Sequence, residues 1–208
     1  MALSSITKKL IMSVSGLFLI LFLLLHTTIN FFAVVDAFKG TWGAPAGEGW
    51  YAGGCWFMAT PVIDIMVPVL AAGFFVHIIY ALILNYGIRK ARGPQRYAVA
   101  HQGKSESWAS KNMLVIGAIV LIGLGLHLFN FWANMQLPEV LHKLGIHVEE
   151  AKLANVTDGV HYIVNTFSCP VYSIIYLVWL AFLWFHLAHG VASVMQSIGW
   201  SNHVWQNR

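Results

Sequence analysis

Histidine is costly inside a bilayer and is a common protein ligand to the iron of a haem. Four long apolar stretches of this chain each carry one: His26, His77, His127 and His186. An isolated intramembrane histidine is ordinarily a packing residue that hydrogen-bonds across helices. Four at matched positions point instead to a transmembrane electron-transfer protein, provided that the elements carrying them cross the bilayer and bring them together.

The composition supplies such elements. Of 208 residues, 58% are hydrophobic and 10% charged, and the mean hydropathy of +0.68 lies outside the balance of a water-soluble domain. A crossing takes about 20 apolar residues at about 1.5 Å each, so the chain is expected to be all-α, a transmembrane helical bundle forming a single haem-binding domain over residues 1–208. Four spans are visible, at about 10–34, 62–87, 112–134 and 168–195. The first follows Lys8 and Lys9 but is too long and lacks a small-residue cleavage site for a signal peptide, so it reads as a retained helix.

Charge sets the direction. Lys8, Lys9, Arg89, Lys90, Arg92, Arg96, Lys104 and Lys111 fall on one side of the spans, which the positive-inside rule makes cytoplasmic, together with the N-terminus. The connections 35–61 and 135–167 contain only Lys39, Lys143 and Lys152 as basic residues, beside Asp36, Glu48, Glu139, Glu149, Glu150 and Asp158. They are rich in Gly, Trp and Tyr and are expected to fold as caps on the outer side, with a short interfacial helix within 138–154. The net charge of +4 does not imply nucleic acid. The basic side suits anionic lipid, haem propionates or an acidic partner.

Counting residues from each cytoplasmic end puts His26 and His127 about 22 to 24 Å along their spans and His77 and His186 about 15 to 17 Å along theirs. Two layers result, each with one histidine from each of two helices, the arrangement that offers axial nitrogens to one haem b without irregular backbone in lipid. Two haem b groups are therefore expected. Gly16, Gly73, Gly123, Gly125 and Gly190 would let a flat macrocycle approach the backbone, although small residues also serve ordinary helix packing. His189 lies three residues after His186, and spacing alone leaves either as the ligand.

His101, His142, His147, His161 and His203 fall in connections or at the end of the chain and read as surface residues. Asp64 and Asn30 are weaker candidates for proton or quinone contacts than for interfacial anchoring. Cys55 and Cys169 fall on the outer side, where a disulfide and two free thiols are both allowed. No dinucleotide fingerprint, P-loop or HExxH motif is present, so the chain shows no catalytic constellation of its own.

The segments "FLLLHTTIN", "FFVHIIY", "GLGLHLFNFW" and "WFHLAHGVASVMQSIGW" resemble the cytochrome b membrane-anchor subunit of succinate dehydrogenases and fumarate reductases, of the single-polypeptide, di-haem, menaquinone type. The resemblance covers nearly the whole chain. It implies His77 with His186 and His26 with His127 as axial metal ligands, and its glycine four residues after the fourth ligand selects His186, with Gly190, over His189.

The resemblance also implies partners: a flavoprotein subunit with covalent FAD, an iron-sulfur subunit with three clusters, menaquinone as substrate, and assembly as a dimer of heterotrimers in the cell inner membrane. Electrons would run from succinate through flavin and clusters to the His77/His186 haem, then to the His26/His127 haem and menaquinone, or in reverse for fumarate reduction. Dicarboxylate chemistry would belong to another subunit of this succinate dehydrogenase (quinone).

Two departures stand out. The family usually has a fifth helix, where this sequence has only "SNHVWQNR", so that helix is expected to be missing or truncated. Trp184 stands where some coupled fumarate reductases carry a glutamate of a proton route. Asp36, Glu48 and Asp64 are the residues available for an outer quinone pocket. A cytochrome b of another quinone-linked dehydrogenase, or a transport or structural membrane protein without haem, are the alternatives.

Overall fold

Backbone N–H and C=O groups in a bilayer must be satisfied within the segment, so apolar runs of this length have helix as their only open structure. The computed structural model, which describes residues 3–45, 48–93, 108–153 and 156–200, follows that rule. His101, His203, Arg96 and Lys104 lie outside the described residues.

Among the described residues the fold is all-α, with no strand. The helices are α1 (Ser5–Lys39), α2 (Trp50–Met58), α3 (Pro61–Arg92), α4 (Trp108–Lys111), α5 (Met113–His127), α6 (Ala133–Lys143), α7 (Glu150–Leu153), α8 (Gly159–Phe167) and α9 (Pro170–Ser197). A π-helical turn, Leu128–Trp132, joins α5 to α6. Four helical stretches are long and apolar enough to cross a membrane: Ser5–Lys39, Pro61–Ala91, Met113–Lys143 and Pro170–Ser197. At most 11% of the most apolar part of each is buried, so these side chains face outward, where lipid is the solvent that accepts them. The chain is a multi-pass membrane protein.

Local chemistry explains the helix ends. Ser4 Oγ accepts from Thr7 N–H at 3.1 Å at the start of α1, and Asp158 accepts from His161 N–H at 3.0 Å at the start of α8, both N-caps. Pro61 and Pro170 open α3 and α9, where the missing N–H costs nothing. The segment 138–154 departs from the expected single interfacial helix. Here α6 continues the third span to Lys143 and stops at Gly145, whose φ of 78° closes the helix through Gly145 N–H to His142 C=O and Ile146 N–H to Leu141 C=O. Only one turn, α7, follows.

The chain forms two compact units: Met1–Leu21 with Leu70–Val120 and Leu180–Arg208, and Phe22–Val69 with Leu121–Trp179. Among the described residues, Lys8, Lys9, Arg89, Lys90 and Lys111 belong to the first, and every Asp and Glu belongs to the second. They are called here the basic and acidic units.

In the acidic unit α2 and α8 are packed helices, as expected of capping connections, and share a cluster in which Ala33, Tyr51 and Cys55 are buried against Phe32, Val160 and Ile163. Asp36 is 2% exposed and caps α2 from outside that helix. Its carboxylate accepts from the N–H groups of Trp50 at 3.0 Å and Tyr51 at 2.8 Å and from Thr41 Oγ1 at 3.2 Å, which satisfies orphan donors that Gly49, lacking a side chain, leaves open. A Cβ on Gly49 would stand 3.0 Å from Asp36 Oδ2, so glycine is what lets the carboxylate approach. Gln136 Nε2 donates to Met58 C=O at 2.9 Å, tying α6 to the end of α2.

In the basic unit the described core is small. Ile116 is fully buried, with Val194, Ser13 and Ser15 also buried, and the Phe18 ring lies against Gly73.

Candidate functional site

The four intramembrane histidines come from four different spans, one each on α1, α3, α5 and α9. The structure brings them together in two pairs, and each pair lies within one unit. In the acidic unit the rings of His26 and His127 have centroids 5.7 Å apart with planes at 90°. In the basic unit those of His77 and His186 are 6.1 Å apart at 65°. All four side chains are half-buried. A transition-metal ion lies ~2 Å from an imidazole nitrogen that binds it, so two rings facing one ion have centroids roughly 6 Å apart. Among the described residues no group of three or more His, Cys, Asp or Glu is placed to hold a metal ion, so each pair offers two protein ligands and no more.

The two pairs sit in different surroundings. Phe22 stacks on His26 at 5.5 Å. Around His127 are Trp179, stacked at 5.9 Å, Phe131 at 5.2 Å and Tyr176 at 6.4 Å. Tyr176 is buried, and its hydroxyl accepts from Asn130 Nδ2 at 3.2 Å. Trp179 in turn presses on Gly123, where any Cβ would collide with the indole.

Small residues line the other pair. A Cβ on Gly16 would lie 3.4 Å from His77 Cε1, and one on Gly117 would lie 3.6 Å from His186 Cε1. Ser15 Oγ is 3.5 Å from His77 Nδ1. His186 Nδ1 is buried with no hydrogen-bond partner. A polar atom left so in an apolar interior costs about 1 to 3 kcal/mol, and two imidazoles facing each other at 6.1 Å fit the ligand pair of a haem iron. His186 is the residue whose ring faces His77; His189 follows it on α9 and is also half-buried.

The five glycines of the sequence reading separate. Gly16 lies against His77, Gly73 against Phe18 and Gly123 against Trp179, whereas a Cβ on Gly125 or Gly190 would meet nothing within 4 Å. Gly117 and Ser15 were not singled out from sequence. Their signal is spacing: Gly117 precedes His127 by ten residues and Ser15 precedes His26 by eleven, about three turns on each helix, and nothing in one chain's sequence says which histidine on another helix they meet.

The π-helical turn was also missed. It begins at the residue after His127, and such turns insert one extra residue into a helix, often beside functional groups. The carbonyls of Phe129 and Asn130 accept from Asn134 Nδ2 at 2.8 and 3.3 Å. Pro138 has no N–H for the carbonyl of Asn134, and Tyr162 Oη donates to that carbonyl instead, at 3.0 Å.

The other candidates have local roles. Asn30 Nδ2 donates to the carbonyl of His26 at 2.8 Å. Asp64 pairs with Lys143 at 2.8 Å, and Lys143 also reaches Glu139 at 2.8 Å. Asp36 is committed to capping α2, and Glu48 is exposed. His142, His147 and His161 are exposed, as expected of surface residues, and His161 Nε2 lies 2.8 Å from Asn165 Nδ2. Cys55 and Cys169 are both free thiols; burial beside Tyr51 and Gly159 pushes the Cys55 thiol above its ordinary pKa.

No family model, curated protein or solved structure matches the chain. A functional reading therefore stands on these residues and their arrangement.

Proposed function

We propose that this protein is the di-haem cytochrome b membrane anchor of a succinate:menaquinone oxidoreductase or fumarate reductase, linking an iron-sulfur partner to menaquinone. The observation that carries the reading is the pairing of four intramembrane histidines into two facing sets, 5.7 and 6.1 Å between ring centroids, each set drawn from two spans. Two imidazoles are an incomplete shell for a bare ion, but they would suffice as the protein ligands of a haem iron. His26 with His127 and His77 with His186 would then be the metal ligands, with Gly16 and Gly117 against the rings of the second set. When bound, haem supplies one-electron redox chemistry, and the helices set where that chemistry takes place.

The chain's own residues do the rest. Spans hold the ligands at fixed depth, and apolar side chains exclude water from them. Lys8, Lys9, Arg89, Lys90 and Lys111 give the basic unit the charge that a cytoplasmic face carries by the positive-inside rule. The N-terminus in this reading is cytoplasmic, the membrane is the cell inner membrane, and an acidic surface of the partner flavoprotein and iron-sulfur subunits docks on the basic side. Dicarboxylate oxidation or reduction takes place on those partners.

Purification of the complex in detergent, with haem measured per polypeptide and its reduction by succinate followed optically, tests the reading. Two haems reduced by succinate are expected, with one lost in His127→Ala and the other in His186→Ala. Absence of haem in the wild-type protein would sink the proposal. Haem that ignores succinate would assign the anchor to another quinone-linked dehydrogenase.

A further inference from the structure

We infer that Ser15 is a positioning residue that sets the tautomer of His77, so that Nε2 is the nitrogen His77 presents to a metal. The inference rests on the di-haem reading and adds a residue and an atom to it. Ser15 is 7% exposed, and its hydroxyl donates to the carbonyl of Met12 at 3.0 Å. A hydroxyl has one hydrogen to give. Toward His77 Nδ1, 3.5 Å away, Ser15 Oγ therefore offers a lone pair, and the imidazole nitrogen facing it carries the proton. A neutral imidazole protonated on Nδ1 keeps its lone pair on Nε2.

Gly16 completes the seat. A Cβ there would stand 3.4 Å from His77 Cε1 and 3.6 Å from Nδ1, so two consecutive residues of α1 meet the same edge of the ring and leave its Nε2 side to face away. At 3.5 Å the contact is long for a neutral hydrogen bond; its effect is to choose which nitrogen holds the proton, more than to stabilise the fold. The arrangement is one-sided, because Nδ1 of His186 is buried without a partner. Ligand imidazoles usually donate their second N–H to an acceptor that fixes the tautomer and raises ligand basicity, and in this unit Ser15 is placed to do so for His77.

The test is a redox titration of membranes containing the full chain with its native partners, comparing wild type with Ser15→Ala and Ser15→Thr while spectra follow each haem. Losing the acceptor makes the imidazole a weaker donor to ferric iron. Ser15→Ala is expected to shift the reduction equilibrium of one haem toward the reduced form by about tenfold, ~59 mV for a one-electron couple. The affected haem should be the one that His186→Ala removes, and Ser15→Thr, which keeps the hydroxyl, should restore the wild-type value. Loss of that haem in Ser15→Ala with recovery in Ser15→Thr also supports the inference. Two unchanged potentials in Ser15→Ala overturn it, and so does a shift or loss that Ser15→Thr fails to repair, since packing alone would then be responsible. A wild-type preparation without haem overturns the di-haem reading itself, independently of Ser15.

Discussion

The imidazoles of His26 and His127 lie among rings, with Phe22 on one and Trp179, Phe131 and Tyr176 around the other. Those of His77 and His186 lie beside Ser15, Gly16 and Gly117. One pair is held by broad apolar contact and the other by close approach of backbone. The surrounding units differ in the same sense. The acidic unit has a buried carboxylate cap, an ion-paired Lys143 with Asp64 and Glu139, and a helix with a π-helical turn. The basic unit has a smaller buried core among the described residues and holds Lys8, Lys9, Arg89, Lys90 and Lys111. The comparison teaches that two sites with the same residue pair can be supported by different physics, and so should fail in response to different substitutions.

The largest effect is expected at Asp36. Asp36→Ala leaves the N–H groups of Trp50 and Tyr51 without their acceptor, and an unmet buried donor costs about 1 to 3 kcal/mol. Thermal unfolding of the detergent-solubilised protein should fall, and binding at the His26/His127 pair should weaken while the His77/His186 pair is spared. Equal damage to both pairs would break the comparison.

A paired glycine experiment comes next. Gly123→Ala drives a methyl group into the Trp179 indole, an overpacking worth about 1 to 3 kcal/mol. Gly117→Ala places its methyl at ordinary contact distance, 3.6 Å from His186, and gains about 1 kcal/mol of helix propensity. The first variant should lose stability and the second should hold or gain it. If Gly117→Ala is as harmful as Gly123→Ala, the two surroundings do not differ in the way described.

The smallest effect is expected for Tyr176→Phe. It removes the hydroxyl that accepts from Asn130 but keeps the ring contacts of His127, and hydrogen bonds between membrane helices average about 0.6 kcal/mol. A loss well above that value would mean that the hydroxyl, and not the ring, is the main support of the His26/His127 pair.

Much of this protein is legible in its sequence. Apolar run length gave four spans, because lipid leaves helix as the only way to satisfy a crossing backbone, and residue counts along those spans were enough to match His26 with His127 and His77 with His186. Lys8, Lys9, Arg89, Lys90 and Lys111, grouped from sequence by the positive-inside rule, fall in one compact unit. Less could be read where contacts join residues far apart in the chain. Asp36 read as a candidate for an outer quinone pocket, yet it is the cap of a helix 14 residues on. Residues 138–154 read as a short interfacial helix, and the chain instead closes α6 at Gly145.

The sequence by itself determined the solvent, the four membrane-length helices and which histidines could meet, since each of these depends on composition and on a fixed rise per residue. Only the tertiary structure decided what each ring touches. Whether His127 meets Trp179, His77 meets Ser15, or His186 meets Gly117 depends on how each helix is rotated against its neighbours, and no period in a single strand of sequence carries that rotation. The π-helical turn after His127 belongs to the same class. It shifts every later residue of that span around the helix axis, and the carbonyls of Phe129 and Asn130 in it accept from Asn134 Nδ2, a residue whose role there no local pattern announces.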